Sequence, residues 1–288
     1  MFVIVGIIVV FGSILVGFVL DHGHLVVLVQ WTEFLIIGGA AFGAFLVSNP
    51  MSVVTGSFKQ ILGLLKPNPY NEKAYAELLK VLYDVFQKAR KDGLVGLESH
   101  IEDPHKSDLF KPYPFFTHHH HALPLLCDTL KVLLTGAVED HHLAEILDLD
   151  LERQHAEAHA VPQALSKIAD ALPGFGIVAA VLGIVNTMAA LEGADTATIG
   201  HKVGAALVGT FLGILVSYGF IGPIASAMEA KAAEEGKAFE VVKMALVASV
   251  RGYAPSVAVE FARKLLYSEV RPTFADLENE LKGRPRAA

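Results

Sequence analysis

The side chains best suited to chemistry in this sequence are histidines, one thiol and one acid set among apolar residues. Thr117-His-His-His-His121 places four imidazoles side by side, a composition that can hold a metal ion. Neighbouring residues on a loop do not converge on one point, so the tract is read as solvated and metal-free. His155-Ala-Glu-Ala-His159 sets two imidazoles one helical turn apart. Glu157 follows the first histidine by two residues instead of one, so this is not the HExxH pattern of zinc hydrolases; the segment reads as an exposed helix face. Cys127 is the single cysteine; it cannot form an internal disulfide and reads as a small buried apolar residue. With no nucleophile elbow, P-loop or metal-ligand motif, an enzyme is not expected.

The remaining chemistry lies in four apolar stretches. Each is long enough to cross a bilayer, which takes about 20 residues at a rise of about 1.5 Å each. They are Met1 to Leu20, Leu25 to Asn49, Leu172 to Leu191 and Val203 to Met228, called spans one to four below. An ionisable group at mid-bilayer costs about 2.5–3.5 kcal/mol, so one kept there has a use. The middles of spans one, three and four have none, and Glu33 is the one acid inside any span. It follows Trp31, an interface residue, so Glu33 is expected near the outer headgroups in an interfacial or structural role.

Small and weakly polar residues take the place of charges. Pro173, Gly176, Ala180, Gly183 and Thr187 recur at spacings of three or four and share one face of span three. Gly209, Gly213 and Ser217 recur every fourth residue on span four, with Thr210 beside them. Gly209-Thr-Phe-Leu-Gly213 and Gly39-Ala-Ala-Phe-Gly43 are GxxxG matches that let helices approach closely. The approaching helix is either a neighbour in the same chain or one from another chain; spacing leaves both open. Pro173 and Pro223, at corresponding ends of spans three and four, each remove a backbone donor and form a candidate pair of hinges.

The elements that position these residues follow from composition. The chain has 288 residues, 53% hydrophobic and only 18% charged, against about 25% charged in soluble domains. A net charge of −7 with no basic patch excludes a nucleic-acid binder. Span one is not read as a cleaved signal peptide, since it lacks a basic start and an Ala-x-Ala-like site. No Lys or Arg precedes Lys59, twelve lie from Lys59 to Lys167, ten lie from Lys231 to Arg286, and only Lys202 sits in a short loop. By the positive-inside rule both large polar regions and both termini are cytoplasmic. The organisation expected is all-α: a transmembrane hairpin over 1–49, a large cytoplasmic helical domain over 50–171, a second hairpin over 172–228 and a cytoplasmic helical tail over 229–288. Within the arm, Asn71 caps a helix with apolar residues from Tyr75 to Ala89 that ends at Gly93. Helical pattern resumes over Leu125 to Ala137 and His141 to Leu149, and from Glu152 runs into span three. Residues 52–66 form an amphipathic segment suited to the inner lipid interface or to packing on neighbouring helices.

Leu172-Pro-Gly-Phe-Gly-Ile-Val-Ala-Ala-Val-Leu-Gly-Ile-Val-Asn186 resembles the third span of the MotA family of flagellar stator subunits. Val208-Gly-Thr-Phe-Leu-Gly-Ile-Leu-Val-Ser-Tyr-Gly-Phe-Ile-Gly-Pro223 resembles its fourth, and Gly252-Tyr-Ala-Pro-Ser-Val-Ala-Val-Glu-Phe-Ala-Arg-Lys264 the segment after it. Ile36-Ile-Gly-Gly-Ala40 and Gly93-Leu-Val-Gly-Leu-Glu98 match as well, so the similarity covers nearly the whole chain in order. The resemblance implies a bacterial inner-membrane protein that forms a ring, of five copies in the family, around a dimer of MotB. MotB would supply the ion-binding aspartate, and the ring would drive the rotor protein FliG. It implies that Pro173 and Pro223 couple ion flow to the arm, that Thr210 lines the ion path, and that Arg90 and Glu98 meet the rotor. Ala180 stands where sodium-driven relatives carry Thr, so the transported ion is expected to be H+, with no cofactor. The energy is adequate, at about 2.3 kcal/mol per charge per 100 mV. Gly174 departs from the Ala common in the family. An ExbB- or TolQ-like energy transducer is the alternative within the same channel family, but one span before the arm is expected there and two stand here. A solute transporter would need polar residues at mid-membrane and internal pseudo-symmetry.

Overall fold

Among the described residues of this computed structural model, four helices are long and apolar enough to cross a membrane. The structure describes residues 2–119, 121–136, 139–189 and 195–282; within these it is helical and contains no strand. Ala137, His120 and the end of span three, placed by the sequence reading in a helix, the histidine tract and a membrane helix, fall outside the described residues.

Span one is the helix Phe2–Leu20. It stops where His22 takes a positive φ of 61° and Gly23 N–H returns to Phe18 O at 2.8 Å, a left-handed C-terminal turn. Span two is a helix only over Trp31–Ser48. The expected first residues, Leu25–Leu28, form a separate 3-10 turn, which Gln30 closes by donating to Val27 O at 3.0 Å. Pro50 ends the span, and the amphipathic segment becomes the helix Met51–Gly63. Its Val54 packs with Phe45, Val161, Leu165 and Met228, while Phe58 and Leu62 point outward from its other side.

The helical patterns expected separately from His141 onward merge into one helix, Asp140–Ala189, which carries both Pro162 and Pro173 in its interior. Thr196–Val216 continues through a five-residue π turn, Ser217–Ile221, into Gly222–Val250. The chain groups into two compact units. The first joins 1–67 with 157–231, and the second joins 68–156 with 232–288. The first therefore also takes in the Met51–Gly63 helix and 157–171, which the sequence assigns to the arm.

The second unit has an ordinary globular core. Asn71 caps the helix Glu72–Asp92 by accepting from Ala74 N–H at 3.0 Å, and Gly93 ends it at φ 77°. Leu78, Leu79, Leu82 and Val85 from that helix bury against Leu126 and Leu130 of Ala122–Leu134, Leu246 of Gly222–Val250 and Val259 of Pro255–Arg263. Phe110 and Phe116 fill the core from the proline-rich stretch, and Glu77 fixes that stretch by accepting Phe116 N–H at 3.1 Å. Burial pushes the Glu77 carboxyl above the usual carboxylate range.

Candidate functional site

Spans three and four meet backbone to backbone. A Cβ on Gly176 would stand 2.8 Å from Gly209 O and 3.1 Å from Gly213 Cα. On Gly213 it would stand 2.8 Å from both Leu172 O and Gly176 Cα. On Gly183 it would meet the Ala206 Cβ at 2.7 Å. Lipid tails are as apolar as these helices, so close packing of small residues supplies the attraction that burial supplies in water. Gly176, Gly183, Gly209 and Gly213 are thus filled by helices of the same chain. Thr187 is buried and donates to Gly183 O at 2.8 Å. Ala180 is buried beside Gly209, and Thr210, half-buried, has its Cα against Gly176. The other GxxxG pair differs: a Cβ on Gly39 or Gly43 would meet nothing within 4 Å. Ile177, Val181, Ile184 and Met188 also remain exposed along span three.

A hydrogen bond between spans three and four, from Ser217 to Ala169, lies beside Pro173, and pattern reading does not reveal it. Pro173 has no N–H, so the carbonyl four residues back, Ala169 O, loses its helical donor. Ser217 Oγ–H donates to that carbonyl at 2.6 Å, and Ser217 is fully buried. At the same residue span four leaves α geometry: Gly222 N–H reaches back five positions to Ser217 O. Pro223 follows immediately and is exposed. A π turn accommodates the missing donor of a proline without breaking the helix.

Glu33 is not at an exposed interface. It is 6% exposed, whereas Trp31 two residues earlier is 79% exposed. Its carboxyl lies between spans three and four: Oε2 is 2.5 Å from where a Gly209 Cβ would stand, and Oε1 is 3.8 Å from that of Gly183. Oε2 is buried without a hydrogen-bond partner. A side chain at 209 would displace the carboxyl, whereas at 183 the tight neighbour is Ala206 and Oε1 is only in ordinary contact. The helix that starts at Trp31 carries Glu33 to this contact, which a window of hydropathy does not report.

In the second unit, Arg90 occupies the last turn of Glu72–Asp92, and Glu98 opens the short helix Glu98–Glu102. Both are exposed, and among the described residues neither makes an ion pair. Arg90 also borders a groove lined by Phe86, Leu94, Leu246, Tyr253 and Pro255.

The histidine tract is less solvated than its composition suggests. His119 is buried; its Nδ1 accepts Ala122 N–H at 3.2 Å, capping the helix Ala122–Leu134, and its Nε2 faces Tyr70 Oη at 3.1 Å. An accepting Nδ1 places the proton of the neutral ring on Nε2. His118 Nδ1 donates to Pro114 O at 2.8 Å, and the His121 ring packs edge-on to Phe239. His155 is exposed as expected, but His159 is half-buried. Exposed ligand atoms of Glu139, His141 and His142 lie within 4.8 Å of one another, a grouping at the start of a helix that the sequence reading passed over. Cys127 is buried, which pushes its thiol up to about 12.

Comparison with known proteins agrees with this architecture along the chain. Residues 4–93 match the family described as Motility protein A N-terminal, and residues 119–241 the MotA/TolQ/ExbB proton channel family. Motility protein A of Salmonella typhimurium is 39% identical over 98% of this chain and 95% of its own length. Motility protein A of Escherichia coli is 36% identical over the same shares. The structure titled C. jejuni MotAB superposes with a TM-score of 0.76 at 19% identity, covering 94% of this chain and 98% of that one. The flagellar MotAB stator complex from Bacillus subtilis gives 0.69 at 24%, covering 97% and 98%. With four apolar helices, a tightly packed span three and span four, and relatives matched from end to end, the chain belongs to the motility protein A family of membrane proteins.

Proposed function

We propose that this chain is the ring-forming subunit of a flagellar stator, which with a MotB-like partner converts the proton motive force into torque. The observation that carries the reading is the likeness to motility protein A over 98% of the chain. In this reading five copies surround a partner dimer in the bacterial inner membrane, with both termini and the arm in the cytoplasm. The partner's aspartate binds the travelling ion near Ala180 and Thr210. A methyl at Ala180 offers no oxygen to sodium, so the ion is H+. Movement at Pro173 and Pro223 is passed along the continuous helices Asp140–Ala189 and Gly222–Val250. Arg90 and Glu98, exposed and without ion pairs among the described residues, then engage complementary charges on FliG. The chain is not an enzyme and needs no cofactor in this scheme. The two spans before the arm, Phe2–Leu20 and Trp31–Ser48, favour a stator over an ExbB- or TolQ-like transducer.

Complementation of a stator-deletion strain tests the proposal. Swimming is expected to return, to persist when sodium is removed and to stop when a protonophore is added. Speed that follows sodium and ignores the protonophore rejects H+ coupling. No swimming from an expressed and inserted chain rejects the stator role.

A further inference from the structure

The scheme above gives Glu33 no part, yet it is the one acid inside an apolar span, the residue is 6% exposed, and its Oε2 is buried without a partner. The glycine at 209 leaves the space it fills: a Cβ there would stand 2.5 Å from Oε2, while Oε1 lies 3.8 Å from the Gly183 Cβ position. The residues packed there, Ala179, Gly183, Ala206 and Gly209, bring no titratable side chain. The titratable groups nearest along the surrounding elements are Asp21, His22 and His24 before span two, and His201 and Lys202 at the start of span four. All five are exposed, and among the described residues none forms an ion pair with Glu33. A buried carboxylate with neither counter-ion nor donor is far more costly than a neutral acid in the same place. The seat also lies beside Ala180: the backbone N of Ala180 is 3.2 Å from the same Gly209 Cβ position.

We propose that Glu33 is a proton-binding site contributed by this chain itself. The carboxyl is a neutral acid while span two is seated between Gly183 and Gly209. It releases its proton when span two moves off that seat and water reaches Oε2, and it takes one up as the seat closes. No other group changes charge in the exchange, H+ passing between the carboxyl and water. The binding site stands on the geometry alone. Its use during transport rests on the stator reading, placing a reversible proton store beside the ion path at Ala180 and Thr210.

The site is tested on the purified full chain, without a partner, by infrared difference spectroscopy against E33Q across pH. The wild-type chain is expected to show, at neutral pH, the carbonyl stretch of a neutral carboxylic acid that E33Q lacks. A difference containing only carboxylate stretches overturns the site, as does a neutral-acid band that sodium converts to carboxylate. Should E33Q fail to insert, E33D withdraws the acid by one methylene from Gly209 and is expected to shift the band; an unshifted band overturns the placement. In swimming cells E33Q is expected to swim with a flattened dependence of speed on outside pH. A wild-type pH profile in E33Q removes Glu33 from transport, while the stator reading is judged separately by whether the unaltered chain restores swimming.

Discussion

The hydroxyl of Ser217 does for the helix at Pro173 what a backbone N–H does elsewhere. It donates to Ala169 O, the carbonyl that the proline leaves without a partner. Interhelical hydrogen bonds of this kind are worth about 0.6 kcal/mol on average in membrane proteins, with a maximum of about 1.7. Ser217→Ala is expected to lower stability in detergent by about that much. The informative measurement is the double-mutant cycle. Pro173→Ala restores the N–H, so Ser217→Ala should cost markedly less in that background; additive losses would show that the hydroxyl does not serve the proline. Cys127 supplies a second prediction at this scale. Its buried thiol is held up at about 12, so little thiolate forms at neutral pH. Maleimide should label Cys127 slowly in the native chain and rapidly after denaturation; equal rates would mean the core around Leu126 and Leu130 is open.

Helices set where these residues meet. Spans three and four approach through Gly176 and Gly213, where a Cβ would meet backbone atoms at 2.8 Å that cannot rotate aside. Gly213→Val must therefore push the helices apart, at a cost of about 1–3 kcal/mol or more. It is expected to abolish stable assembly, read as loss of the complex on size-exclusion chromatography. Gly39→Val meets open space within the chain, so monomer folding should be preserved, and any loss of assembly would mark span two as a surface for another chain. In the arm, His119 shows how one helix start depends on a ring three residues before it. Its imidazole caps Ala122–Leu134 while packing against Phe115 and Phe239.

At the scale of the molecule, the arrangement predicts dependence on a partner. The described residues near Ala180 and Thr210 offer one carboxyl, Glu33, sealed against Gly209 and not lining an open path. The purified chain alone in liposomes is therefore expected to conduct protons poorly under an imposed potential, and conduction should rise when a MotB-like partner is reconstituted with it. Substantial conduction by the chain alone would move the transported ion's binding group into this polypeptide. The exposed apolar row Ile177, Val181, Ile184 and Met188 is where the single chain leaves membrane helix uncovered for lipid or for that partner.

The sequence by itself determined the four spans, the all-α class and the arm helix from Asn71 to Gly93. Hydropathy, caps and heptad-like spacing are local properties that survive without a tertiary partner. It also identified the small-residue faces, since glycine at every third or fourth position leaves room for a close approach. Which helix makes that approach was decided by tertiary structure, because a GxxxG pattern reads the same whether it is filled, as at Gly209 and Gly213, or open, as at Gly39 and Gly43. Burial was decided there too: the vacancy at Gly209 takes the carboxyl of Glu33, while Trp31 two residues earlier stays exposed. The partner of Ala169 O lies 48 residues away, and no local pattern specifies a hydrogen bond across that distance.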